Sequence, residues 1–435
     1  MPPLLLTAVL IADWVPARWF SSDPASLELV KGSAVNCLLV ERADWSKEFL
    51  AAAAARNVRV LAVIRGNEDA GPARSLPFDG YVLEGVDLPM GDRPVIRLPL
   101  RRAIRFGDSD PILGTSQGVW PGIEVEHGGP KEAGPTGSAW IHTNNGFLRF
   151  VRSMAARPFW MGVTPPEEPL AVSRYLQAVA DAGAAGARWI VAIDGAFQKR
   201  LLARDRASMA DWKRLLAHVS FYEENRQWRQ WEPKSRLALI QDTASGGLVT
   251  GNLLDMLSVL NTPVRAARAV TASVLKDAAV TVTLDPRGYT AEQKALIARF
   301  VSGGGKVVAG PEGWRMPVPG GDRFQFDRNE YRQLEAIWPE LHNAISRKNF
   351  GARLFNVSGA VSHLLGEPGG RVVLQLVNYT DYPLEAVTAF VEGRYRKAVL
   401  LTPDGAPRAL TVFEAPDGTG IEIDRMGVCG AVVLE

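Results

Sequence analysis

Val58-Arg59-Val60-Leu61-Ala62-Val63-Ile64 and, after a short polar interval, Asp79-Gly80-Tyr81-Val82-Leu83-Glu84 are the two runs on which the fold turns. Both are apolar segments of strand length, without the polar alternation of a sheet that keeps one face wet. Strands of this kind are buried on both faces, which requires a parallel sheet covered by helices. Working outward from the pair, similar runs occupy residues 4–11, 35–41, 94–98, 119–125, 159–163 and 189–193. Amphipathic stretches separate several of them, clearest at 45–56 and 169–186. Eight strands alternating with helices predict a compact (β/α)8 TIM barrel over residues 1–233, with some helices short or missing.

The run at 4–11 has the apolar texture of a signal-peptide core. It lacks a basic segment before it and a small-residue cleavage site after it, so it reads as the first buried strand. An export signal already removed is compatible with that reading, which leaves the protein soluble and either cytoplasmic or exported. No apolar run reaches the length of a membrane span.

A long helix is expected over 206–233, followed by a second α/β pattern. Strands fall at 236–241, 264–269, 279–284 and 306–309, with helices at 251–260 and 290–302. Thr290 and Gln293 have the spacing of a capping box, and Gly303-Gly304-Gly305 ends the same helix. These make a small doubly wound domain over 234–325. Past a Pro/Gly-rich passage at 311–321 and a helical stretch around 329–344, short β runs follow at 371–378, 384–391, 398–401, 409–414, 420–423 and 430–434. Pro403-Asp404-Gly405 and Pro416-Asp417-Gly418 punctuate them, and the pattern predicts a linker helix and C-terminal β-sandwich over 326–435.

Bulk composition narrows the function. A chain of 435 residues with 47% hydrophobic and 22% charged residues is long enough for two or three domains. Its net charge of +2, with Lys and Arg scattered, lacks the basic footprint of a nucleic-acid binder. Cys37 and Cys429 are far apart in apolar contexts and read as core residues. His127 and His142 have no metal-ligand spacing. The glycines at 128–129 and 303–305 lack a P-loop lysine or a dinucleotide fingerprint, so no metal and no cofactor is expected.

The order of a barrel, an α/β domain and a β-sandwich resembles the beta-galactosidases of glycoside hydrolase family 42. In the middle domain the resemblance rests on Asp285-Pro286-Arg287-Gly288-Tyr289-Thr290-Ala291-Glu292-Gln293 and Phe300-Val301-Ser302-Gly303-Gly304-Gly305-Lys306-Val307-Val308. The barrel also resembles uncharacterised bacterial glycosidase-like proteins through Gly118-Val119-Trp120-Pro121-Gly122-Ile123 and Gly134-Pro135-Thr136-Gly137. The resemblance implies a carbohydrate substrate and a glutamine-amidotransferase-like middle domain of the trimerisation type, hence a homo-oligomer formed through it. It further implies an acid/base and a nucleophile glutamate at the ends of strands four and seven. Glu84 fits the first position. Strand seven ends Gly162-Val163-Thr164-Pro165, and Glu167 and Glu168 follow only after two prolines, so the second glutamate does not carry over. No histidine falls between His218 and His342 and neither cysteine lies in the middle domain, so amidotransferase chemistry has no Cys–His pair there.

Barrel sites lie at the C-terminal strand ends. Those ends carry Asp13 and Trp14; Glu41 and Asp44; Arg65 and Asn67; Glu84 and Asp87; Glu124, Glu126 and His127; and Asp194. The mouth reads as acidic and aromatic. Glycoside hydrolysis needs two carboxylates at a defined separation, and the candidates are Glu84 with Asp194, Glu124, Glu126 or Asp13. Trp14, Trp120 and Trp160 offer stacking faces for sugar rings, while Gln117, Asn144 and Asn145 offer amides to hydroxyls. Each has a plain structural reading beside it. Glu84 serves as a hydrogen-bond acceptor, Asp194 and Asp13 as helix caps, and Glu124 and Glu126 as a solvated loop edge. Asn144-Asn145 then belongs to a turn, and the tryptophans to packing. The expectation is a glycoside hydrolase acting on an oligosaccharide; the alternative is a non-catalytic carbohydrate-binding or assembly protein on a degenerate glycosidase barrel. Other hydrolytic or lyase chemistry leaves no motif by which to separate it.

Overall fold

The computed structural model describes residues 11–107, 109–123, 141–240, 248–284, 288–309, 326, 330, 334, 337–346, 348–367 and 369–435. The chain forms two compact units, one from residues 1–120 and 156–225, the other from 121–155 and 226–435. Residues 121–155, assigned to the barrel in the sequence reading, cluster with the second unit.

Eight parallel strands organise the first unit: β1 Pro16–Trp19, β2 Cys37–Val40, β3 Arg59–Ile64, β4 Gly80–Glu84, β5 Val95–Leu98, β6 Leu113–Thr115, β7 Phe159–Met161 and β8 Arg188–Trp189. They pair in chain order as a five-stranded sheet, β1 to β5, and a three-stranded sheet, β6 to β8. A parallel bridge between Ala17 and Val191 joins β1 to the segment after β8. At the other margin, Thr115 Oγ1 donates to the Pro99 carbonyl (2.6 Å). Gly114 is needed at that margin, because a Cβ there would meet Leu98 Cδ2 at 2.4 Å. Cys37, Leu39, Leu61, Val63, Val82, Ile96, Leu98, Trp160 and Ile190 form one buried cluster. Their alternate neighbours Leu38, Val60, Ala62 and Leu83 are also buried. Burial on both faces is what the uninterrupted apolar runs demand, at about 1.5–3 kcal/mol per large side chain. The amphipathic stretches form the helices Lys47–Ala55 and Val172–Ala184.

Two strands depart from expectation. Among the described residues the sheet opens with Pro16–Trp19; of the strand expected at 4–11, only Ile11 is described, in a helical turn, and the rest lies outside the described residues. Arg18 is what hides this strand from an apolar-run reading. The sixth parallel strand is Leu113–Thr115, whereas Gly122–Ile123 pairs antiparallel with Ile141–His142 in the second unit.

In the second unit, β9 Leu237–Ile240, β10 Arg265–Ala267, β11 Val280–Thr283 and β12 Lys306–Ala309 form a parallel sheet in the order β10-β9-β11-β12. Its helices include Leu248–Val259 and Ala291–Ser302. The capping box forms as predicted: Gln293 N–H donates to Thr290 Oγ1 (3.2 Å) and Thr290 N–H to Gln293 Oε1 (2.9 Å). The helix Asn145–Met154 crosses Leu248–Val259 closely enough that a Cβ on Gly146 would lie 2.0 Å from the Gly251 carbonyl oxygen.

The rest is antiparallel: β13 Ala352–Phe355, β14 Ala360–Gly366, β15 Val372–Asn378, β16 Leu384–Val391, β17 Ala398–Thr402, β18 Gly405–Ala415, β19 Gly418–Met426 and β20 Cys429–Leu434. With Glu232–Pro233 they make nine strands ordered Glu232–Pro233, β14, β15, β20, β17, β18, β19, β16, β13. The sheet curls so that Leu364, Leu374, Leu376 and Val432 share a core with Val387, Val391 and Ile421, a β-sandwich-like arrangement. No described helix is long and apolar enough to cross a membrane.

Candidate active site

Four successive strands of the first unit each deliver one charge to their C-terminal end. Arg18 comes from within β1, Glu41 follows β2, Arg65 follows β3, and Glu84 closes β4. Ile64 pairs with Leu83, so the register carried one residue further sets Arg65 beside Glu84. The side chains form a closed network. Arg65 Nη1 donates to Glu41 Oε2 (2.8 Å), and Arg65 Nη2 donates both to Glu41 Oε1 (2.8 Å) and to Glu84 Oε2 (2.8 Å). Arg65 Nε also donates to Glu84 Oε2 (3.1 Å). Arg18 donates to Glu84 Oε1, and more loosely to Glu41 Oε1 at 3.2 Å. Arg18 and Glu84 each keep only 7% of the side chain exposed, against 36% for Glu41 and 50% for Arg65. Burial pulls the Arg65 pKa down, but Glu84 and Glu41 outweigh it and the net shift is upward. Arg18 Nε is buried without a partner among the described residues.

The mouth expected to be acidic is therefore charge-balanced around this cluster. Further along, Arg97 of β5 spans Asp87 (3.2 Å) and Asp110 (2.8 Å), and Arg42 pairs with Asp69 (3.2 Å). Guanidinium groups are suited to this, since their planar fork satisfies carboxylates while staying ionised.

The other expected residues are distributed as follows. Asp13 and Trp14 precede β1, so they lie at its N-terminal end, away from the mouth; Trp14 belongs to the buried cluster. Asp194 is 1% exposed and caps the helix Gly195–Leu202: Oδ1 accepts from Phe197 N–H (2.8 Å), and Oδ2 from the Tyr175 hydroxyl (2.5 Å). Burial and this contact push the Tyr175 pKa up. Gln117 braces Arg101, accepting from its N–H at Oε1 and from its Nε at the carbonyl, both at 2.7 Å. Trp120 packs edge-on against Tyr175 and Trp189, with centroids 5.5 and 5.3 Å away. Trp160 is fully buried in the core and has no face for a ligand. Asn144 and Asn145 are fully buried in the second unit, at the start of the helix Asn145–Met154. Glu124 and Glu126 lie outside the described residues.

The structure thus brings to Glu84 a carboxylate that sequence reasoning noted at a strand end but did not pair with it, Glu41. It adds Arg18, which was missed because its strand was missed. The signal for Glu41 was present, a charged residue at the end of each of three consecutive apolar strands; Arg18, inside β1, gave none.

No protein-family model matches the sequence, and no curated protein matches it. Among solved structures, alpha-L-fucosidase isoenzyme 2 from Paenibacillus thiaminolyticus superposes with a TM-score of 0.58 at 12% identity, over 97% of this chain and 98% of that one. The fold is glycosidase-like. Gan42B, a GH42 beta-galactosidase from G. stearothermophilus, aligns with a TM-score of 0.40 at 10% identity, over 89% of this chain and 67% of that one. That similarity is too loose to argue membership of the galactosidase family. At these identities the likeness is one of fold, and chemistry has to be argued from the residues.

Proposed function

We propose that the first unit is a compact (β/α)8 barrel that hydrolyses a glycoside, with Glu84 and Glu41 as its two carboxylates. Eight parallel strands in chain order, with β1 bridged to the segment after β8, support the barrel. The observation that carries the chemistry is the shared donor. Glu41 Oε1 and Glu84 Oε2 each lie 2.8 Å from Arg65 Nη2, so these oxygens are within twice that distance of one another. Retaining glycosidases hold their carboxyl groups about 5–5.5 Å apart, inverting ones further.

Glu84 is buried, and Oε2 accepts two guanidinium bonds while Oε1 accepts one. A carboxylate oxygen has two lone pairs, so Oε1 keeps one for attack. In this reading Glu84 attacks the anomeric carbon and the bond to the leaving oxygen breaks. The more exposed Glu41 donates its proton to that oxygen. Glu41 then takes a proton from water, which attacks the same carbon and frees Glu84. This assigns Glu84 the nucleophile rather than the acid/base role expected from its strand position.

The remaining organisation is part of the same proposal: an amidotransferase-like middle domain and a sandwich, with self-association through the former. Its support is the helix Ala291–Ser302, which buries no side chain fully and leaves Val301 50% exposed. A monomeric mass by light scattering would remove that element alone.

A second reading has its own observation. Both oxygens of both glutamates are engaged by arginines, which suits a barrel that binds glycans without turnover. A panel of aryl glycosides and oligosaccharides separates the two. Cleavage with retained anomeric configuration, followed by proton NMR, is the expected result; binding without cleavage of any member selects the second reading.

A further inference from the structure

The outward face of the C-terminal sheet carries an aromatic strip that neither carboxylate chemistry nor core packing uses. Two rows of paired residues cross strands β18, β19, β16 and β13. One row runs Thr411, Glu422, Thr388, Phe355, and the next runs Phe413, Gly420, Phe390, Arg353. Paired positions in an antiparallel sheet share a face, and here that face is the one turned from the sandwich core. Phe355 is 42% exposed and Phe413 38%, and both appear among the chain's large exposed apolar side chains. Their rings are organised rather than scattered. Phe355 and Phe390 lie 4.9 Å apart at 54°, and Phe390 and Phe413 lie 6.0 Å apart at 81°. Gly420 makes room for this: a Cβ there would sit 2.3 Å from the Phe413 ring.

Beside the rings stand Thr411, Thr388 and Glu422, none with a side-chain hydrogen bond or ion pair among the described residues. We propose that this face binds a neutral oligosaccharide or polysaccharide chain, independently of the first unit. The ligand class rests on the carbohydrate reading above, and the residues rest on this sheet alone. Sugar rings present C–H faces that stack on aromatic rings, and hydroxyl rims that two threonines and a carboxylate can bond. Charge selects against the other partners of an aromatic strip. Glu422, with Asp424 two residues along β19 on the same face, repels phosphates of a membrane surface or nucleic acid, and acidic glycans. Arg353 keeps its charge while its guanidinium is directed at the carbonyls of Ser346 (3.0 Å) and Lys348 (2.5 Å), so it offsets one of these two carboxylates and leaves the face negative.

The test is affinity electrophoresis of the full chain through gels holding soluble galactomannan, xyloglucan or mixed-linkage β-glucan, with polygalacturonate as the acidic comparison. Retardation by at least one neutral glycan is expected. Phe355→Ala and Phe413→Ala should each weaken it by about 5-fold or more, and Phe413→Trp should preserve it. Both rings are exposed, so thermal midpoints close to wild type show that folding is intact. Hydrolysis of small aryl glycosides reports on the first unit separately, and its absence leaves this test unaffected. No retardation in any gel, retardation that both alanine variants leave intact, or retardation by polygalacturonate alone would overturn the proposal. So would a concentration-dependent dimer that Phe413→Ala dissolves, since a second copy would then be the occupant.

Discussion

Glu41 and Glu84 share a single donor atom, Arg65 Nη2, which lies 2.8 Å from an oxygen of each. The two differ in what lies beneath them. Glu84 is as buried as Arg18, whereas Glu41 reaches solvent. Removing one member of a buried pair strands the other charge, at about 3–5 kcal/mol, while an exposed pair contributes about 1 kcal/mol or less. Glu84→Ala should therefore lower unfolding free energy several times more than Glu41→Ala in urea titrations. Equal losses would mean that Arg18 does not depend on Glu84.

Asp194 is a structural cap: Oδ1 accepts from Phe197 N–H and the Tyr175 hydroxyl holds Oδ2. Tyr175→Phe leaves Asp194 Oδ2 without its hydroxyl donor in a buried setting, which costs about 1–3 kcal/mol. The expected outcome is a lower unfolding midpoint with an unchanged pH profile of turnover. A selective collapse of kcat at unchanged stability would instead place Asp194 in the chemistry.

His363 gives the second unit an acid-sensitive element. Its ring is buried, its Nε2 has no partner among the described residues, and its pKa is held well below 6.5 by burial first and then by Arg149 and Arg152. The folded state thus keeps the imidazole neutral while the unfolded chain takes up a proton. The associated stability is present above about pH 6.5 and is lost as pH falls, by at most about 1.4 kcal/mol per pH unit. His363→Gln should flatten that part of the stability–pH curve between pH 7 and 5. An unchanged slope would show that other groups dominate it.

Gly146 sets how closely its helix approaches Leu248–Val259. In Gly146→Ala the new methyl meets a backbone oxygen, which no rotamer change relieves, so the helices must separate; overpacking of this kind costs about 1–3 kcal/mol. Thr290→Ala, which removes a solvent-exposed capping box, should cost about 1 kcal/mol. Calorimetry of both variants checks the ranking, and a milder effect at Gly146 would contradict the close crossing.

Legibility in the sequence followed burial. β2, β3, β4 and β7 were readable because both faces are buried and the residues are apolar almost throughout; β5 and the parallel strands of the second unit were readable from shorter apolar stretches, although Arg97, Arg265 and Lys306 interrupt or flank them. β1 was not, because Arg18 breaks the apolar run to serve the charge network, and β6 was not, because Leu113-Gly114-Thr115 is short and built around a glycine. In the sandwich, β14 was missed where Ser362 and His363 interrupt Ala360–Gly366. The site was half legible. Glu84 at a strand end was visible, but its neighbours depend on which strands lie side by side in which register, a long-range property. Trp160 and Asn145 show the converse, since residue types suited to ligand contact were used for packing.

In the proposed mechanism hydrolysis depends on the Glu84 carboxylate. The most direct test of this dependence is kcat/KM of Glu84→Gln against wild type on the best-cleaved aryl glycoside, with thermal unfolding confirming that the variant is folded. A loss of about 1,000-fold or more is predicted for the folded variant. A folded Glu84→Gln protein within about tenfold of wild type would contradict the account.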